Sequence, residues 1–339
     1  MEKQFERYSR QMLFAPIGEE GQKKLSSKRV LIVGLGALGT VLANHIVRSG
    51  VGYVKLVDRD YVEKSNLQRQ MLFDEVDVEE ARPKAIAAEQ KLKQINSDVT
   101  IEGIVTDVNI HNIEELISDV DIVLDGTDNF ETRFLLNDSC FKHNIPFVYG
   151  GAVSSRGMSA MFIPGKTPCL RCFIKQGDTG GQTCDMIGVI SPVVDIVASY
   201  QVVEALKYLV DAESSYRNSL LTFDLWKFHQ FEMKFNKPEA HCPTCQEKEY
   251  PALNIENKDT VTSLCGRETV QIHAEKSFNL DKWADKLGAV AEVQKTPFLL
   301  RVFLQEGERI VMFSDGRVLV QGTEDVSRAK VIYSRYIGS

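Results

Sequence analysis

The 339-residue sequence predicts an α/β fold: a Rossmann-like, doubly wound, mainly parallel sheet with an antiparallel extension and a cysteine-knuckle site, then a small C-terminal α+β unit. Three observations carry this expectation. The segment KRVLIVGLGALG reads as a buried strand, a tight glycine turn and a helix start. Short apolar runs then alternate with helical patterns as far as Gly150, the signature of βα units around a parallel sheet. Beyond Gly150 the alternation stops, and SSRGMSAMFIPG, LLTFD and FHQFEMKF follow as antiparallel strands.

In chain order, residues 1–27 read as a helical lead-in. Strands are predicted at 29–33, 53–57, 100–104, 121–125 and 146–150, and helices at 37–49, 82–95, 112–118 and 131–143. The glycines Gly34, Gly36 and Gly39 keep the G-x-G-x-x-G spacing: one for the turn, one for close approach of a phosphate, one for packing of helix on strand. The helix start at Ala37 offers free N–H groups and a positive dipole end to an anion. The second strand ends at Asp58, 19 residues past Gly39, near the spacing of a ribose-binding acid. GDTGG, residues 177–181, reads as a mobile loop. The divisions are an adenine-nucleotide-binding domain over 1–248, a polar linker over 249–261 and the small α+β unit over 262–339, with strand-like VQIHA, FLLRVFL, RIVMFS and VLVQG and helical LDKWADKLG and DVSRAKVIYSRYIG.

Bulk properties narrow the function. A hydrophobic content of 43% supports a core, and a net charge of −7 argues against a nucleic-acid surface. The charged start MEKQFERYSR is no signal peptide. Pro192 to Val210 is interrupted by Asp195, Glu204 and Lys207, so it reads as a core helix and not a membrane span. Seven cysteines without an export signal point to a cytoplasmic, reducing setting.

Four of those cysteines form two C-x-x-C knuckles, Cys169 and Cys172 in PCLRC and Cys242 and Cys245 in CPTC. Four thiolates suit a closed, structural zinc site with no position left for water. A redox pair is the rival reading. Cys184, on the predicted glycine loop, is either a reactive thiol or a plain loop cysteine, whereas Cys140 reads as core and Cys265 is ambiguous.

Past the glycine turn come Asn66, Arg69 and Gln70, then Lys84, then Asp128 in GTDN. This polar, partly cationic set suits a triphosphate and its metal better than a hydride carrier. No G-x-x-x-x-G-K-[ST] occurs, so ATP would bind on a dinucleotide-type fold. Two alternatives stand beside an ATP-dependent transferase: a nicotinamide-dependent oxidoreductase on the same turn, and a non-catalytic zinc-stapled binding module.

RYSRQ, GLGALG, LVDRDYVEKSNLQRQ, RPKA, LDGTDN and the paired knuckles, in this order, resemble the ThiF/MoeB/HesA adenylyltransferases, bacterial relatives of ubiquitin-activating enzymes, over residues 5–248. The resemblance implies ATP- and Mg²⁺-dependent adenylation of the C-terminal glycine of a ubiquitin-like sulfur carrier ending in Gly-Gly, of MoaD or ThiS type, with release of pyrophosphate. It implies that Gly34, Gly36 and Gly39 line the nucleotide and Asp58 takes the ribose. Asn66, Arg69 and Lys84 would contact phosphates with Gln70 nearby, and Asp128 would hold Mg²⁺. Arg10 would reach the neighbouring subunit's site in a homodimer, and Cys184 matches a loop cysteine that some members use for sulfur transfer or a covalent carrier link. Gly150 to Gly157 offers a path for the carrier tail. The molybdopterin and thiamine pathways stay open, with a lean to the first. The tail past 250 is too short for the sulfurtransferase domain of longer members and reads as a packing or carrier-docking unit.

Overall fold

The computed structural model describes residues 3–174, 187–254, 261–264, 268–274 and 277–338. The predicted GDTGG loop, Cys184 and Cys265 lie outside the described residues. The chain divides into two compact units, residues 1–78 with 83–254, and residues 255–339 with 79–82.

The first unit is built on eight strands: β1 (Arg29–Val33), β2 (Tyr53–Asp58), β3 (Thr100–Val105), β4 (Ile122–Asp125), β5 (Phe147–Val153), β6 (Arg156–Phe162), β7 (Ser219–Asp224) and β8 (His229–Lys234). Their order in the sheet is β3-β2-β1-β4-β5-β6-β7-β8. The first five are parallel, and from β5 onward each pair is antiparallel. The strand order reverses between β1 and β4, and in such sheets ligands bind beyond the carboxyl ends of the strands at that point.

Among the described residues the α-helices are α1 (Ser9–Met12), α2 (Gly18–Ser27), α3 (Ala37–Arg48), α4 (Glu75–Glu79), α5 (Lys84–Ile95), α6 (Ile113–Ile117), α7 (Phe130–Lys142) and α8 (Ser191–Leu209). Successive residues of a strand face opposite sides of the sheet. Val30, Ile32, Val54, Leu56 and Leu124 therefore pack with α3, α5 and α8 in one core. Leu31, Val33, Val57 and Val123 pack with α6, α7 and the cysteine knuckles in another. Burial on both faces explains why β1 reads as a continuous apolar run and β2 as one broken only by Lys55, which is buried against Asp119.

Most element ends fall within a residue or two of expectation, β5 runs on to Val153, and two of the differences have clear local reasons. α5 begins at Lys84 and not at 82, because Pro83 is extended (ψ 137°) and the Lys84 amide bonds to the Asp60 carbonyl at 2.9 Å. Residues 249–254 are not linker. Tyr250, Ala252 and Leu253 pack on the α7 core, and the Ala252 amide donates to Asp138 at 2.8 Å.

The second unit holds β9 (Val261–Leu264), β10 (Thr269–His273), β11 (Glu292–Lys295), β12 (Leu299–Phe303), β13 (Arg309–Phe313) and β14 (Arg317–Gln321), in the order β11-β12-β13-β14-β10-β9 with antiparallel pairing. α9 (Leu280–Gly288) and α10 (Val326–Tyr336) supply Leu287, Ala329 and Ile332 to its core. The sequence pattern missed β9 and β11. β11 is EVQK, mostly exposed at the sheet edge, and has no apolar alternation to read.

Candidate active site and thiolate cluster

The site begins where β1 ends. Gly34 adopts φ +85°, a left-handed conformation that favours glycine. A Cβ on Gly34 would stand 2.8 Å from the Gly126 carbonyl, and one on Gly39 would stand 1.8 Å from the Gly34 oxygen. These glycines let β1, α3 and the turn after β4 meet backbone to backbone. Gly36 differs. A Cβ there would meet only the Gln70 side-chain nitrogen, at 4.0 Å, so space is open above it. The first turn of α3 leaves amides for an anion in that space.

Three predicted residues converge beside this turn. The buried Asp58 carboxylate accepts the Leu35 amide at 2.6 Å and the Asp60 amide at 2.7 Å. Burial raises its pKa, while the Lys84 cation opposes the rise. Lys84 is itself buried, with Nζ 3.6 Å from Asp60. Gln70 is buried, and its side-chain oxygen has no hydrogen-bond partner among the described residues. The atom of Gln70 that faces the open space above Gly36 is Nε2, a donor, 4.0 Å from where a Cβ on Gly36 would stand. Asn66 and Arg69 sit on the short turn between. The Asn66 oxygen accepts the Glu63 amide at 3.1 Å in a reciprocal capping box, and Arg69 Nη1 donates to the Ser65 carbonyl at 3.0 Å.

The turn after β4 carries Asp128, which is exposed. Its framework was not legible as a site in the sequence. Asp125, fully buried, accepts the Thr127 amide at 2.9 Å, the Thr127 hydroxyl at 2.6 Å and Arg133 Nε at 3.0 Å. Arg133 Nη2 also donates to the carbonyls of Thr127 (2.7 Å) and Gly150 (2.9 Å). Burial disfavours the Arg133 charge, but Asp125 first, then Tyr149 and Asp128, outweigh it and raise its pKa. Asp125 is likewise raised by burial against the pull of Arg133. The available signal was an arginine inside the helical run NFETRFLLND, since a charge in a core helix demands a partner.

The remaining candidates lie apart. Arg10, on α1, is exposed and makes no hydrogen bond or ion pair among the described residues.

At the far end of α7 the two knuckles meet. The sulfurs of Cys169, Cys172, Cys242 and Cys245 all lie within 4.8 Å of one another, with Cys169–Cys242 and Cys172–Cys245 at 3.5 Å. Four sulfurs about 2.3 Å from one tetrahedral zinc would stand roughly 3.8 Å apart, so the set fits the ion. Asp138, fully buried, grips both knuckles. It accepts Arg171 Nε and Nη2 at 2.8 Å each and the Thr244 hydroxyl at 2.6 Å. Asn137 accepts the Leu170 amide at 2.9 Å.

Comparison with known proteins agrees with this geometry. Residues 8–244 match the model of the ThiF family. The chain is 49% identical over 337 residues to the sulfur carrier protein ThiS adenylyltransferase of Bacillus subtilis (strain 168), covering 98% of this chain and 99% of that protein. It is 36% identical to the SAMP-activating enzyme E1 of Haloferax volcanii (72% and 90% covered) and 35% identical to the ThiS adenylyltransferase of Escherichia coli (72% and 96%). The fold also matches a crystal structure of E. coli MccB with ATP, at TM-score 0.61 and 23% identity over 70% of this chain and 74% of that one. None of these relatives favours the oxidoreductase alternative. On the family match and on relatives of this identity and coverage, the chain belongs to the ThiF family.

Proposed function

We propose that this chain adenylates the C-terminal glycine of a ThiS-like, ubiquitin-fold sulfur carrier, using ATP and Mg²⁺, as a cytoplasmic homodimer. The observation that carries the reading is the convergence at the sheet's switch point. The close approach of Gly34 and Gly126 sets the glycine turn beside the turn that leads to Asp128, and Asp58 accepts the Leu35 amide between Gly34 and Gly36 with the Lys84 cation near it. The ThiS-type carrier is favoured over the MoaD type by the relative whose likeness extends through the second unit.

In this reading the α3 amides and Gln70 Nε2 donate to phosphate oxygens and Asp58 orients the ribose. The carrier's carboxylate attacks the α-phosphorus, and the bond to the β-phosphate breaks, its electron pair leaving on pyrophosphate. Lys84, Arg69 and the partner subunit's copy of the N-terminal arginine offset charge on that leaving group. Asp128 would hold Mg²⁺, which supplies further charge stabilisation when bound. The attacking carboxylate is already ionised near neutral pH, so no general base is required. The four cysteines would hold zinc as a staple with no open coordination position.

Asp128→Ala is expected to abolish carrier adenylation with the far-UV circular dichroism unchanged. Mixing Arg10→Ala and Asp128→Ala subunits should restore partial activity, because one hybrid site is whole. Confirmed subunit exchange without rescue would refute action of Arg10 across the dimer.

A further inference from the structure

We infer that Arg133 is a positioning residue for the adenylation proposed above, fixing the spacing between the Asp128 turn and strand β5; the inference rests on that reading. One buried guanidinium bonds three segments. Nε meets the Asp125 carboxylate at the end of β4, and the two hydrogens of Nη2 go to the Thr127 carbonyl in the turn and to the Gly150 carbonyl on β5. Its faces lie 5.2 Å from the ring centres of Phe130 and Tyr149. A planar fork with fixed donor directions cannot keep both carbonyls if the turn and the strand slide past each other. Asp128 follows Thr127 directly. Gly150 and Gly151 open the segment suggested for the carrier tail, and a Cβ on Gly151 would stand 2.9 Å from the Tyr149 hydroxyl and 4.0 Å from Arg133 Nη2. Arg133 thus lies under the start of that path while holding the turn that presents Asp128. It touches neither reactant. It sets the distance between the metal-holding carboxylate and the peptide to be activated.

A purely structural residue would lower the melting temperature and scale every activity with the folded fraction. A positioning residue predicts something else. Folded Arg133→Lys, which keeps the charge but loses the fork, should bind ATP with unchanged affinity. Its kcat for ATP–pyrophosphate exchange should fall about 100-fold per folded molecule, the cost of a roughly 1 Å misplacement. It should also need more Mg²⁺ for half-maximal rate. Thr127→Val, measured in parallel, removes one of the three bonds to the Asp125 carboxylate that anchors Arg133 and should shift the Mg²⁺ midpoint the same way, by less. If Arg133→Lys does not fold, the Thr127→Val midpoint decides. A folded variant with wild-type kcat and Mg²⁺ midpoint would overturn the inference. Absence of exchange in the wild type would instead overturn the adenylation reading, so the two failures are separable.

Discussion

The three glycines of one motif do different work, and single methyl groups separate their roles. At Gly39 an added Cβ would sit 1.8 Å from the Gly34 carbonyl, which α3 and β1 cannot both accommodate. Gly39→Ala is therefore expected to lower the yield of folded protein, or to shift the melting transition down by many degrees. At Gly36 the same methyl meets nothing closer than 4.0 Å. Gly36→Ala should melt like the wild type while losing the upward shift that ATP–Mg²⁺ gives the native state. Thermal melts with and without nucleotide check both, and an unimpaired nucleotide shift in folded Gly36→Ala would contradict phosphate approach at that position. The spacing of these glycines and of Asp58 was readable in sequence because all four lie in one continuous strand–helix–strand unit, β1 to β2. The Asp125–Arg133 pair was not, because its meaning depends on Gly150, 17 residues farther along, lying next to the Asp125 turn.

Among the elements, α7 joins the two chemical centres of the first unit. Its N-terminus, capped by Asn129, carries Arg133 beneath the Asp128 turn, and its last turns carry Asn137 and Asp138 against the knuckles. The Asp138–Arg171 ion pair is buried on both sides, with 0% and 7% side-chain exposure. Removing one partner leaves an uncompensated charge in the interior, so Asp138→Ala should cost about 3–5 kcal/mol. Because Asp138 also orients both knuckles, zinc affinity should weaken by roughly 10–100-fold. Denaturant unfolding and competition with a chromogenic chelator measure the two effects. Wild-type zinc affinity in a destabilised variant would mean that Asp138 supports the helix alone. The C-x-x-C spacing announced the ligands, but nothing in it announced Asp138, which lies 31 residues before Cys169 and reaches the second knuckle only through the fold.

For the whole molecule, the βα alternation predicted the parallel half of the sheet because its inner strands β1, β2 and β4 are buried on both faces and read as largely apolar runs. It failed at β11, an exposed edge, and at residues 249–254, where the apolar Tyr250, Ala252 and Leu253 are too short a run beside the charged QEKE segment to show the packed turn they form. The second unit has its own sheet and core, and the B. subtilis relative spans it while the shorter relatives do not. That full-length likeness is what tilts the carrier toward the ThiS type. The central claim is tested most directly by ATP–pyrophosphate exchange with the purified chain, Mg²⁺ and, in separate reactions, ThiS-like and MoaD-like carriers ending in Gly-Gly. The expected result is exchange that requires a carrier and is faster with the ThiS-like one. Exchange confined to the MoaD-like carrier would contradict the carrier assignment, and no exchange with either would contradict adenylation of a Gly-Gly carrier.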